Sequence, residues 1–239
     1  EAVGMPALET AMDVLAEEAG SDPVELRLRN IPKKNPEEDL PFSSHKLAEC
    51  LKQGADAFGW DSGPRKPRHR REGEWWIGTG MASAARVHNV SEARARVTLK
   101  PDGTALVQTD MTDIGTGTYT ILAQIAGEML GLDPQQVRVE LGDTHFPRGS
   151  GSGGSWGAAS VGSAVYVAAK AVREELAKRV GVSEEDLDLA DGKLAGGQPV
   201  TNLLDSKELA REGHYEPGKI TDDYTASGFG AFFAQVRVN

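Results

Sequence analysis

Residues 113–141 read DIGTGTYTILAQIAGEMLGLDPQQVRVEL, and three textures follow one another within them. DIGTGTYT (113–120) is rich in Gly and Thr. TILAQIAGEML repeats with helical period and turns Leu122, Ile125, Ala126 and Met129 inward. GLDPQQ ends that helix, and VRVEL (137–141) reads as a strand. A second loop of the same kind, GSGSGGSWG at 149–157, leads into a long helix from about Ser160 to Arg179. Its core stripe is Val161, Val165, Ala168, Val172 and Leu176.

Working outward, WWIGTGMASAARV from Trp75 and ARARVTLKPDGTALVQTDM alternate apolar and polar residues, the pattern of half-buried strands. PDG at 101–103 marks a hairpin turn. The first part of the chain is helical. Residues 7–19 place Leu8, Met12, Leu15 and Ala19 on one face, and Gly20 closes the helix. SDPVELRLRN starts a second helix with Asp22 as N-cap and Pro23 at N1. A proline-rich loop (31–43) and a third helix (46–58) follow. GPRKPRHRREGE (63–74) is a polar, basic connector. Residues 181–220 are acidic and turn-rich, an excursion with one short helix near 203–212. FGAFFAQVRV closes as a strand. Strands and helices are both abundant with few regular βαβ units, so the class is α+β, mixed sheets with packed helices. The segments are a helical 1–60, a linker 61–74, and 75–239 with its excursion at 181–220.

The bulk composition sets bounds. The 239 residues suffice for a sizeable core, and 39% apolar with 26% charged residues is globular. A formal charge of -10 argues against nucleic acid as main partner. No apolar run reaches the roughly 20 residues that span a bilayer. The one cysteine, Cys50, makes no intrachain disulfide and reads as a packed apolar residue of the third helix.

Each loop precedes a helix, whose first N–H groups are unpaired and carry about half a positive charge. Glycine lets a ligand approach the backbone, and Ser and Thr add uncharged donors. Gly115, Thr116, Gly117 and Thr118 in the first loop, and Gly153, Gly154, Ser155, Trp156 and Gly157 in the second, suit a phosphate or a polar heterocycle. GTGTYT also has the spacing of a dinucleotide fingerprint, with Glu140 or Asp143 about 20 residues on, but Thr120 stands where the third glycine belongs. Neither a Walker pattern nor H-E-x-x-H occurs. His145 precedes the second loop. A nicotinamide-dependent oxidoreductase domain and a non-catalytic partner-binding domain are the competing readings.

The order of EAVGMPALETAMDVLAEEAGSDPVELRLRN, PFSSHKLAECLKQGADAFGW, DIGTGTYTILAQIAGEMLG, VRVELGDTHFP and GSGGSWGAASVGSAVY resembles the molybdenum-binding subunit of the xanthine dehydrogenase and aldehyde oxidase family. Within it, the bacterial periplasmic aldehyde oxidoreductases are most similar. The resemblance covers nearly all of residues 1–180. It implies that both loops hold a molybdenum–molybdopterin cofactor, in bacteria as the cytosine dinucleotide. Many relatives have Gly-Gln-Gly in the first loop; here Thr116, a shorter donor, stands in the middle. The implied reaction is hydroxylation of aldehydes or heteroaromatics with water as oxygen source, electrons leaving through [2Fe-2S] and FAD groups on partner subunits.

The resemblance places the family's glutamate base beyond the position of Asn239 and an active-site arginine before Glu1. It therefore implies a fragment with no catalytic residue and no metal ligand of its own, inactive alone. It suggests the periplasm, with the cytoplasm as alternative.

Overall fold

A computed structural model describes residues 3–63 and 66–239. The chain runs α1 (Gly4–Glu18), α2 (Pro23–Arg29), α3 (Leu47–Phe58), β1 (Arg70–Glu72), β2 (Trp75–Val87), β3 (Ala93–Leu99), β4 (Ala105–Thr109), α4 (Thr118–Leu130), β5 (Val137–Leu141), α5 (Gly157–Val180), β6 (Leu189–Ala190), β7 (Lys193–Leu194), β8 (Leu209–Tyr215), a single turn α6 (Ile220–Asp223) and β9 (Ser227–Val238). Two compact units result, Glu1–Val87 with Asp222–Asn239, and His88–Thr221. They cut the chain at places other than the sequence borders at 60 and 75. Of the opening stretch and the basic connector, Glu1, Ala2, Pro64 and Arg65 lie outside the described residues.

The second unit is built on a four-stranded sheet in the order β5-β4-β3-β8. β3 and β4 form the hairpin expected at the PDG turn, and β5 lies parallel to β4. A parallel partner needs a crossover, and α4 supplies it. The strands β3 and β4 bury every second residue: Ala93, Ala95, Val97, Leu99, Ala105 and Val107 all face one core. α4 and α5 cover that face. The α5 stripe read from the sequence is fully buried, and Leu122 and Ala126 of α4 meet it. Gly162 of α5 lies against the Ile125 side chain of α4, where an added Cβ would stand 2.9 Å from Cδ1.

The sequence expects a helix near 203–212. A short 3-10 turn at Val200–Leu203 and the strand β8 occupy that stretch instead. LAREGHY alternates: Leu209 and Gly213 are buried, while Ala210, Glu212 and His214 are exposed. Period two puts one side of the strand on the core, and pairing with β3 overrides the helix propensity of Leu, Ala, Arg and Glu. Gly213 has a further reason. A Cβ there would collide with the backbone of Ala164 and Ala168 on α5, so only glycine lets the helix lie this close to the sheet.

In the first unit β2 pairs antiparallel with β9 along nearly its whole length, and β1 adds to the other side of β2. α3 packs on one face of this sheet. Leu51 is buried in a cluster with Val24 and Met81, flanked by Leu28, Trp60 and Phe233. Asp22 caps α2 as expected, its Oδ1 accepting from Val24 N–H at 2.8 Å and Glu25 N–H at 3.1 Å. Its second oxygen accepts from Trp60 Nε1–H at 3.0 Å, so one carboxylate also fixes the end of α3.

The expected inner face of α1 is wrong. Leu8 is 54% exposed and Leu15 51%, and Ala19 is exposed as well. The covered side of α1 carries Glu9 and Ala16. Arg27 of α2, 4% exposed, explains the rotation: its Nη2 donates to Glu9 Oε2 at 2.8 Å and to Asp13 Oδ1 at 3.0 Å. Glu9 also accepts from Ser83 N–H at 2.7 Å and Ser83 Oγ–H at 3.0 Å. A buried guanidinium without carboxylates costs several kcal/mol, comparable to the gain from burying two leucines, so the ion pairs offset the exposure of Leu8 and Leu15.

Two stability outcomes follow. Gly213→Ala should lower unfolding stability by about 3 kcal/mol, because the obstacles are backbone atoms that cannot rotate away. Glu9→Ala should cost about 3 kcal/mol by leaving buried Arg27 with the half-exposed Asp13 as its one carboxylate and freeing the Ser83 donors, read as a lower urea midpoint, while the exposed Leu8→Ala should change it by well under 1 kcal/mol.

Candidate functional site

β4 ends at Thr109, and the next few residues hold both loops. Thr109 Oγ–H donates to the Arg94 and Pro147 carbonyls at 3.0 and 3.3 Å. Asp110 N–H donates to Pro147 C=O at 2.9 Å, and Asp110 Oδ1 accepts from Gly149 N–H. Gly149 sits so close to this strand end that an added Cβ would stand 2.8 Å from Met111 Cβ and Thr109 Oγ1. Thr112 Oγ1 and Ser152 Oγ are 3.0 Å apart, and Ser152 also donates to the Thr112 carbonyl. The two loops are therefore joined at their bases.

In the first loop Gly115 and Gly117 take left-handed backbone conformations, φ 95° and 82°, and Gly117 is the N-cap of α4. No atom lies within 4 Å of a Cβ built at either one, so the backbone there faces open space. Thr118 is buried, with its hydroxyl 3.5 Å from that of Thr116. Ile114 beside them is 68% exposed. The amides are not vacant. Asp113 Oδ1 accepts from Gly115 N–H at 2.8 Å and Thr116 N–H at 3.0 Å. Burial pushes the Asp113 carboxyl up, but the N–H groups of Gly115, Thr116, Tyr119 and Thr118 outweigh it and hold the group below the usual carboxylate range.

The second loop turns through Gly151, Gly154 and Ser155, with φ of 75°, 53° and 57°. Ser155 is the one non-glycine of the three, a backbone position of the kind that gathers at functional sites. Trp156 is the N-cap of α5, and Gly157 opens the helix against the Met111 side chain. Asn89 N–H donates to the Gly154 carbonyl at 3.3 Å, and Ser91 N–H to Ser160 Oγ at 3.0 Å. Trp156 Nε1 and Ser91 Oγ are shielded from solvent with no hydrogen-bond partner among the described residues. A cleft of about 570 Å³ lies beside this loop, lined by Ser91, Arg94, Arg148, Ser150, Trp156 and Glu212 among others.

The structure thus brings Gly115–Thr118 and Gly153–Gly157 onto neighbouring turns at one end of one sheet. It does not bring all of them into one cleft: Trp156 lines the cavity, and the first loop does not. Sequence reading passed over Asp110 and Asp113, the two acids that anchor the loops. Only Asp113 carried a local signal, because Asp followed two residues later by Gly is a pattern of an Asx turn; Asp110, followed by Met111 and Thr112, bonds the remote Gly149 and carried none. His145 is exposed and bonds Asp143 Oδ1 at 2.8 Å within its own turn. Among the described residues, Glu92, His214 and Glu216 alone gather as potential metal ligands. All three are exposed, and His214 Nε2 is already bonded to Glu92 at 2.7 Å on the outer face of the sheet.

These residues fit a polar ring with hydrogen-bonding edges. Glycines open the backbone on both loops, hydroxyls line the first, and an indole N–H and a serine hydroxyl stand unpartnered beside the second. They fit a phosphate poorly at the first loop, where Asp113 already brings a negative charge.

Comparison with known proteins shows the family. Residues 53–239 match the molybdopterin cofactor-binding domain. The aldehyde oxidoreductase molybdenum-binding subunit PaoC of Escherichia coli O157:H7 is 45% identical over 100% of this chain and 33% of its own length. The probable hypoxanthine oxidase XdhD of Escherichia coli K12 is 32% identical over 81% of this chain and 21% of its own. Quinoline 2-oxidoreductase from Pseudomonas putida 86 superposes with a TM-score of 0.71 at 23% identity, covering 98% of this chain and 34% of that one, a likeness of fold alone. The chain spans about a third of the length of PaoC. A domain match over most of the residues, and a relative aligned from end to end, make this polypeptide a member of the molybdopterin cofactor-binding domain family.

Proposed function

We propose that this chain forms part of the cofactor cradle of a molybdenum hydroxylase that oxidises aldehydes or heteroaromatic rings. The observation that carries the reading is the tie between two glycine-rich loops at Thr112 and Ser152, in a chain of this family. Thr116 and Thr118 would hold the pterin edge by their hydroxyls, and the backbone at Gly115 and Gly117 would lie against its face. Gly153, Gly154, Ser155, Trp156 and Gly157 would hold the other side of the group, with Trp156 Nε1–H as a donor. When bound, the molybdenum–pterin group accepts the substrate's electrons in a hydroxylation whose oxygen comes from water. The chain's own contribution is binding, orientation and exclusion of water from the covered indole.

The cofactor is read as the cytosine dinucleotide form, and the [2Fe-2S] and FAD groups as belonging to partner subunits. One cysteine does not ligate an iron–sulfur cluster, which takes four ligands, usually all cysteine. The periplasm is the compartment the reading favours, and fractionation of cells expressing the whole protein tests it. By itself this chain should give no aldehyde oxidation with a dye acceptor above the level of a loop-substituted control.

The cradle is tested at Gly117, whose left-handed φ resists a β-branched residue although no atom crowds its Cβ. In the protein that carries this chain, Gly117→Val should lower molybdenum and pterin content at least about tenfold, the equivalent of about 1.4 kcal/mol. Gly181→Val is the control, with φ 81° and equal open space at the far end of α5. Elemental analysis and the fluorescence of the oxidised pterin read both. Equal loading in the two variants would remove the first loop from the cradle.

A further inference from the structure

Away from both loops, the outer face of the second unit's sheet gathers charge at one corner. β3 and β8 run antiparallel, and their last pair is Ala93 with Tyr215. One step beyond that pair stand Glu92 and Glu216. Like charges set opposite each other across two strands oppose the pairing. His214 lies two residues before Glu216, and period two puts both on one side of the chain. The three side chains converge. His214 Nε2 stands 2.7 Å from Glu92 Oε1 and 3.6 Å from Glu216 Oε1. One ligand atom from each residue falls within 4.8 Å of the other two.

A neutral imidazole does not satisfy this arrangement. Its Nε2 carries one hydrogen, which Glu92 takes, and Glu216 stays beyond hydrogen-bond range of that nitrogen. Arg94 Nη2 lies 3.6 Å from the same Glu92 oxygen, and Arg96 is engaged with Glu212. With His214 neutral, two carboxylates beside one guanidinium leave this group of residues negatively charged. The donor set is selective as well. An imidazole nitrogen with two carboxylate oxygens suits an ion such as zinc, whereas magnesium and calcium prefer oxygen alone. Tetrahedral zinc with bonds of about 2.1 Å holds its ligand atoms about 3.4 Å apart. His214 and Glu216 already stand near that spacing, and Glu92 is an exposed side chain that reaches it by rotating.

We propose that Glu92, His214 and Glu216 form a zinc site on the outer face of the sheet, with water as the fourth ligand. His214 binds through Nε2 and keeps its ring hydrogen on Nδ1, and each glutamate supplies one oxygen. The bound ion ties the end of β8 to the segment that enters β3. That segment also holds α5, because Ser91 N–H donates to Ser160 Oγ at 3.0 Å. No residue of either glycine-rich loop takes part, so the site stands or falls apart from the cradle.

The test uses the whole protein that carries this chain, freed of loose metal with a chelator and dialysed against zinc. The natural protein should take up one more equivalent of zinc than His214→Ala, and X-ray absorption at the zinc edge should show one imidazole among oxygen ligands. Glu216→Gln should bind that equivalent at least about tenfold more weakly. His145→Ala is the control, a histidine with the carboxylate of Asp143 beside it. Its zinc uptake should match that of the natural protein. All the substituted side chains are exposed, so circular dichroism of the metal-free variants should be unchanged. A histidine kept only for its hydrogen bond to Glu92 would give equal zinc uptake in the natural protein and His214→Ala, and that result overturns the site. Loss of the same equivalent in His145→Ala overturns it too, as does displacement of the zinc by an equal concentration of magnesium.

Discussion

The end of β4 is the constraint on which the candidate site depends. Thr109, Asp110, Thr112 and Asp113 are near neighbours in sequence, and each holds a different part of the two loops. This concentration follows from topology. A strand that passes into a crossover helix and returns parallel must leave its connecting loop at its carboxyl end. In open sheets with such connections, that end is where ligands are bound. The second loop arrives at the same end because residues 147–149 run alongside β3 and β4, bonded at Arg94 N–H and Asp110 N–H.

The rest of the second unit keeps that end rigid. α5 lies unusually near the sheet because small residues meet across the gap, Gly213 on one side and Ala164 and Ala168 on the other. On the opposite face, charge takes the place of packing. Arg96 of β3 pairs with Glu212 of β8, and His214 Nε2 forms a hydrogen bond with Glu92, which precedes β3. Cross-strand pairs of opposite charge add a little stability at an exposed surface and keep that face hydrated.

Much of the fold was legible in the sequence where one period ran undisturbed. The α5 stripe, the β3–β4 turn and the Asp22–Pro23 cap each rest on one local rule, and nothing distant opposes it. β8 was missed because LAREGHY carries helix-forming residues and its strand state depends on partners more than a hundred positions away, Ala93 to Leu99. The face of α1 was missed because a buried arginine, invisible to hydrophobic periodicity, decided the rotation. At the site, the glycine and hydroxyl residues stood out by composition. The acids that anchor them did not, since an aspartate in a polar loop looks like any solvated charge. Membership of the family was readable from the order of the segments.

The pairing of β2 with β9 has a consequence for how the polypeptide acquires its structure. Its pairs, from Val87–Ser227 to Trp76–Val238, join residues separated by the whole of the second unit. During synthesis the second unit is complete while the first still lacks a strand. α3 must wait with the side of Leu51 and Gly54 uncovered until Phe233 emerges. Contacts this remote in the chain close slowly, because a long loop must be ordered before they form. The face of α3 that meets β9 is thus among the last parts to become native, and its apolar surface stays exposed until β9 arrives.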